Sequence, residues 1–100
     1  MSELTVTVRT IRDEAIDVRS FELVGAEGRA LPPFTPGSHV DVHVAPGLVR
    51  QYSLCSDPRE TQRYVIAVKR EPASRGGSSA MHERVCEGDR LTIGAPRKRS

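Results

Sequence analysis

Strict alternation of apolar and polar residues, in runs too short for anything but strands, constrains this chain most. Leu4, Val6 and Val8 alternate with Thr5, Thr7 and Arg9. Val40, Val42 and Val44 alternate with His39, Asp41 and His43, and Tyr64, Ile66 and Val68 with Val65, Ala67 and Lys69. Successive side chains of a strand point to opposite faces, so each run presents one apolar face to a core and one polar face to water. Turn residues punctuate the runs: Pro32-Pro33, Pro36-Gly37, Ala45-Pro46-Gly47, Ser56-Asp57-Pro58 and Glu87-Gly88-Asp89.

Reading outward from these runs predicts six strands. The first begins at Leu4, with a bulge or strand end near Thr10, where Ile11 breaks the parity. Asp13-Glu14 reads as a short turn. The second strand covers residues 16 to 24, with a bulge between Val18 and Phe21. The third runs from Ser38 to Val44, the fourth ends in Arg50-Gln51-Tyr52-Ser53-Leu54, the fifth starts at Tyr64, and the sixth is Leu91-Thr92-Ile93. Residues 80 to 86 read as one or two helical turns with Met81 and Val85 on one face. A helix that short must be held by its surroundings. Strands at this spacing predict an all-β fold: a six-stranded antiparallel Greek-key barrel with one short capping helix.

Size and composition bound the rest. One hundred residues make one domain, here residues 1–97 with 98–100 as a tail. Four per cent aromatic residues and no Trp leave the core to Val, Ile and Leu. A net charge of +2 is too small to point to nucleic acid. The absence of a membrane-length apolar run or a signal-peptide pattern makes a cytoplasmic location, away from membrane, the expectation. Cys55 and Cys86 form no Cys-x-x-Cys pair, so no zinc or iron–sulfur site is expected, and Cys55 reads as a small buried residue. His39 and His43 fall ~13 Å apart along a strand, beyond a shared metal ion.

Two stretches carry chemistry. Arg50 and Tyr52 share one strand face, with Ser53 on the other unless the strand ends there. Arg offers a planar donor fork suited to phosphate, Tyr covers a planar ring, and Ser bonds a ring heteroatom in either role. The same Arg and Tyr could equally be a solvated cross-strand pair. Thirty residues on, Gly76-Gly77-Ser78-Ser79 precedes the helix. Glycine lets backbone approach an anion, and amides at a helix start offer donors. The stretch is neither a Walker loop nor a Rossmann fingerprint, and a flexible loop with a serine cap remains the plain alternative.

Taken in order, Arg50-Gln-Tyr-Ser-Leu, Val68-Lys-Arg-Glu and Arg75-Gly-Gly-Ser-Ser-Ala-Met-His82 resemble the flavin-binding domain of the ferredoxin-reductase superfamily. The resemblance is strongest to the phthalate dioxygenase reductase group, which includes vanillate O-demethylase reductases, and it runs from Leu4 to Arg97. It implies that Arg50 binds the flavin phosphate, that Tyr52 packs on the isoalloxazine, and that Ser53 reaches its N5–O4 edge. It implies backbone around Ala67, Val68 and Lys69 at the pyrimidine side, with Gly77, Ser78 and Ser79 holding the phosphate. The implied cofactor is FMN ahead of FAD. In such relatives NADH reduces the flavin, which feeds a 2Fe–2S centre and then a terminal oxygenase. The nicotinamide-binding and iron–sulfur domains fall outside these 100 residues, so the expectation is an incomplete reductase: an excised domain, a truncated reading frame or a split subunit. A separate NAD-binding or iron–sulfur protein and an oxygenase are then the expected partners. A small β-barrel binding module without redox activity is the rival reading.

Overall fold

A computed structural model gives the structure of residues 3–70 and 77–98, with side chains undescribed at 77–79. The elements run β1 (Glu3–Ala15), β2 (Val18–Gly25), a 3-10 turn (Ala26–Gly28), β3 (Ser38–Ala45), β4 (Leu48–Ser53), β5 (Tyr64–Lys69), α1 (Gly77–Glu83), β6 (Arg90–Gly94) and β7 (Arg97–Lys98). All pairings are antiparallel, in the order β4-β3-β6-β1-β2-β5, with β7 added on β3. The six expected strands are present. β7 is a seventh, pairing Arg97 with His39 and Lys98 with Ser38, so the sheet extends one residue into the stretch read as tail.

The sheet curls on itself without closing. Its edge strands β4 and β5 meet at one bridge, Leu54 to Ile66, reinforced by the Cys55 N–H donating to the Val65 carbonyl at 2.7 Å. Barrel is therefore a loose description of an open, strongly curved sheet.

The alternating runs bury as their parity dictates. Val6, Val8, Val40, Val42, Ile66, Val68 and Ile93 are fully buried, joined by Phe21, Leu23, Tyr64 and Met81. The bulge near Thr10 is present as a register shift between Val8 and Thr10. Two local expectations change. β1 continues through Asp13-Glu14 to Ala15, and the turn falls at Ile16-Asp17, where Asp17 takes φ 61°. Asn, Asp and Gly tolerate that left-handed backbone best, which places the turn there. The irregularity expected between Val18 and Phe21 falls between Val18 and Arg19, opposite Ala15 and Asp13, and because β2 pairs with β5 without a shift the extra residue belongs to β1.

The two ends of β5 are covered differently. At its start, the segment between β2 and β3 supplies buried Leu31 and Phe34, apolar residues without periodicity. Phe34 meets Tyr64 edge to face with ring centroids 5.5 Å apart. At its end, α1 packs against β3, β4 and β5 and buries Ala80 and Met81, with Val85 just beyond the helix.

Candidate functional site

The bridge between Leu54 and Ile66 fixes how β4 and β5 would run alongside each other. Continued pairing would set Ser53, Tyr52 and Gln51 opposite Ala67, Val68 and Lys69. The ladder stops instead, and the two strands part into an open seam. The two stretches singled out on β4 and β5 thus border one opening, and α1 packs against both strands beside it.

Cross-strand partners in an antiparallel sheet share a face. Arg50 pairs with Val42 and Tyr52 with Val40, both fully buried, so Arg50 and Tyr52 point to the concave side. Both are half-buried, and Tyr52 packs against the core cluster. Ser53 pairs with His39, is exposed, and ends β4. Burial pushes the Tyr52 phenol above its usual value, while the nearby Arg50 charge pulls it back. The Arg50 guanidinium donates to the Val49 carbonyl at 2.9 Å. Among the described residues no carboxylate pairs with it, whereas Arg63, Arg70 and Arg97 each have one. A half-buried guanidinium with most of its five donors uncommitted is suited to an anion.

The backbone of β5 completes the seam. Val65 accepts from the Cys55 N–H and donates to Ser56 Oγ at 3.2 Å, so its peptide groups face β4. The Arg70 N–H donates to the Asp17 carbonyl at 2.6 Å, on the β2 side. Backbone groups alternate sides residue by residue in an antiparallel ladder. Ala67 and Lys69 therefore present N–H and C=O to the seam, and Val68 presents its own to β2. The bridge itself takes the Ala67 N–H to the Ser53 carbonyl, and among the described residues no ladder pairing continues past it to Lys69. Both side chains are exposed, while Val68 is buried.

The remaining sequence candidates are placed less fully. Gly77, Ser78 and Ser79 form the start of α1. Gly76 and the loop from 71 lie outside the described residues. Cys55, read as buried, is exposed, because it lies just past the end of β4 where the chain leaves the sheet. His39 and His43 lie on the face of β3 away from the core, and His43 sits 3.2 Å from a Glu3 carboxylate oxygen. Among the described residues no cluster of metal-ligating side chains occurs, and no helix is long and apolar enough to cross a membrane. Sequence reasoning missed the contacts that hold α1. His82 Nε2 lies 2.7 Å from the Val68 carbonyl, and Arg19 donates to the His82 carbonyl at 2.6 Å. His82 follows buried Met81 in the helix, the one hint the sequence offered. Arg19 carried none.

Comparison with known proteins follows the same lines. The vanillate O-demethylase oxidoreductase of Pseudomonas putida is 54% identical over 85 residues, 85% of this chain and 27% of that protein. The phthalate dioxygenase reductase of Burkholderia cepacia is 47% identical over 83 residues, 83% of this chain and 26% of that protein. A solved phthalate dioxygenase reductase, described as a modular structure for electron transfer from pyridine nucleotides to 2Fe–2S, superposes with a TM-score of 0.93 at 41% identity. The match covers 97% of this chain and 30% of that one. The flavohem-like FAD/NAD-binding domain of a Vibrio cholerae nitric oxide dioxygenase gives 0.86 at 32% identity, over 99% of this chain and 45% of that one. No family model matches. The chain spans under a third of the length of the first two relatives.

Proposed function

We propose, on the premise that this chain is a homologue of the flavin-binding part of the vanillate O-demethylase and phthalate dioxygenase reductases of the ferredoxin-reductase superfamily, that it seats FMN in the seam between β4 and β5. The observation that carries the reading is Arg50: half-buried, on the concave side with Tyr52, and without a carboxylate among the described residues. When bound, flavin supplies the acceptance of hydride and the release of single electrons.

The chain's own residues supply position and charge. Arg50 binds the phosphate, and the backbone of Gly77, Ser78 and Ser79 adds donors to it. Tyr52 covers one face of the ring and excludes water from it. Ser53 closes the N5–O4 edge, which its place at the end of β4 allows. The seam-facing Ala67 carbonyl and the Lys69 peptide groups, with Val68 between them, meet the ring's pyrimidine edge. In the whole protein this domain would stand between NADH and an iron–sulfur centre that serves an oxygenase in the cytoplasm.

Fluorescence titration tests the reading. FMN should bind more tightly than riboflavin, and the loaded protein should be yellow. Equal affinity for the two would remove the phosphate seat. Failure to bind either would remove the flavin.

A further inference from the structure

We propose that His82 is a positioning residue of this seam, one that fixes and polarises the Val68–Lys69 peptide so that the Lys69 N–H is a stronger, better-aimed donor; the proposal rests on the flavin reading above. A carbonyl only accepts, so the 2.7 Å contact between His82 Nε2 and the Val68 carbonyl requires the proton on Nε2. Val68 pairs with Arg19 and turns its carbonyl toward β2, where the ladder also bonds it. That carbonyl belongs to the same peptide group as the Lys69 N–H. A donor on the oxygen draws electron density through the amide and strengthens its N–H, the cooperative effect seen along hydrogen-bond chains. The Lys69 N–H faces the open seam, by the alternation that Val65 and Arg70 fix from either side.

The surroundings hold His82 in place. Arg19, the ladder partner of Val68, donates to the His82 carbonyl at 2.6 Å and to Asp13 Oδ1 at 2.7 Å. Arg70 pairs with Glu83, the next residue of the helix. Buried Met81 fixes the helix from its other side. The contact therefore closes a ring from Val68 across the ladder to Arg19, through its guanidinium to His82, and back to Val68.

The test uses the intact chain and three proteins: wild type, His82→Phe and His82→Gln. His82→Phe removes the donor, and His82→Gln restores an N–H of similar reach. Losing one ordinary hydrogen bond corresponds to roughly 2- to 10-fold in affinity. Because the effect sits at the ring edge, His82→Phe should weaken FMN and riboflavin by the same factor, with His82→Gln recovering part of it. In the flavin-free protein, the Lys69 amide should shift in the nitrogen–proton spectrum of His82→Phe and return toward wild type in His82→Gln. A role confined to holding the fold would lower thermal stability without that residue-specific shift.

Unchanged affinities for both ligands overturn the proposal, as does a loss confined to FMN, which would place the effect at the phosphate. Wild-type protein that binds neither ligand overturns the flavin reading, and this role with it. Should His82→Phe fail to fold, the imidazole nitrogen spectrum of wild type still decides. An Nε2–H tautomer supports the contact, and an Nδ1–H tautomer overturns it.

Discussion

The chain's two tyrosines border opposite ends of β5, and their differences separate structure from site. Tyr64 is fully buried, stacks edge-on against Phe34, and donates its hydroxyl to the Pro32 carbonyl at 2.5 Å. Burial pushes its phenol up to about 12. Tyr52 is half-buried beside Arg50, and among the described residues its hydroxyl meets no hydrogen-bond partner. One end of the barrel is satisfied and closed. The other holds a ring, a cation and the Lys69 peptide groups, which no ladder pairing meets among the described residues. Buried polar groups are normally paired, so the contrast makes the open end the candidate site.

The largest effect should come from the closed end. Phe34→Ala removes a buried ring and leaves a cavity, which costs about 3–5 kcal/mol. Denaturant unfolding should show that loss while flavin affinity, measured where the variant remains folded, stays near wild type. A large affinity loss would mean the two ends are not separate.

Next comes the open end. Arg50→Ala should cost roughly 1.5–3 kcal/mol of FMN binding, about 10- to 150-fold, since a hydrogen bond to a charged group is lost. Its melting temperature should hold, because Arg50 has no carboxylate partner among the described residues to strand. An unchanged dissociation constant would remove Arg50 from the site.

A smaller effect divides the tyrosines directly. Tyr64→Phe leaves the Pro32 carbonyl without its donor and should cost about 0.5–1.5 kcal/mol. It should also change the alkaline limb of the stability curve. The folded Tyr64 phenol is raised, so its contribution is whole below the ordinary tyrosine value near 10 and is lost as pH rises toward 12. Chemical unfolding across that window should show a steeper decline in wild type than in Tyr64→Phe. Parallel declines would mean that Tyr64 ionises freely in the folded chain.

The smallest effect lies on the outer face, away from both ends. Arg63 bonds Glu22 at 2.9 Å, Thr10 adds a second donor, and together they hold the Glu22 carboxyl below its usual value despite desolvation. A depressed carboxyl stabilises the fold above its unfolded pKa near 4.5, and the benefit fades as pH falls through the folded value. Glu22→Gln should therefore narrow the difference in stability between pH 6 and pH 3, with no change in flavin affinity. An identical pH dependence would show that the pair contributes nothing, as many partly exposed pairs do.

Much of this was readable in the residues themselves. The period-two runs determined the strands, their buried faces and the antiparallel class, because strand geometry ties parity to face. The bulge near Thr10 was legible for the same reason: one extra residue must break the parity. Arg50, Tyr52 and Ser53 were legible as a candidate site from their side-chain chemistry taken together with the family resemblance. Tertiary structure decided what local pattern does not encode. The turn at Ile16-Asp17 depended on how far β1 and β2 could pair, not on the polarity of Asp13-Glu14. Leu31 and Phe34 entered the core from a segment without period, because the barrel end needed filling. That the ladder stops after Leu54 and Ile66, leaving Lys69 facing an open seam, follows from the curvature of the whole sheet. The bond from His82 to the Val68 carbonyl joins residues 14 apart in sequence, and only a helix docked on a finished sheet brings them together.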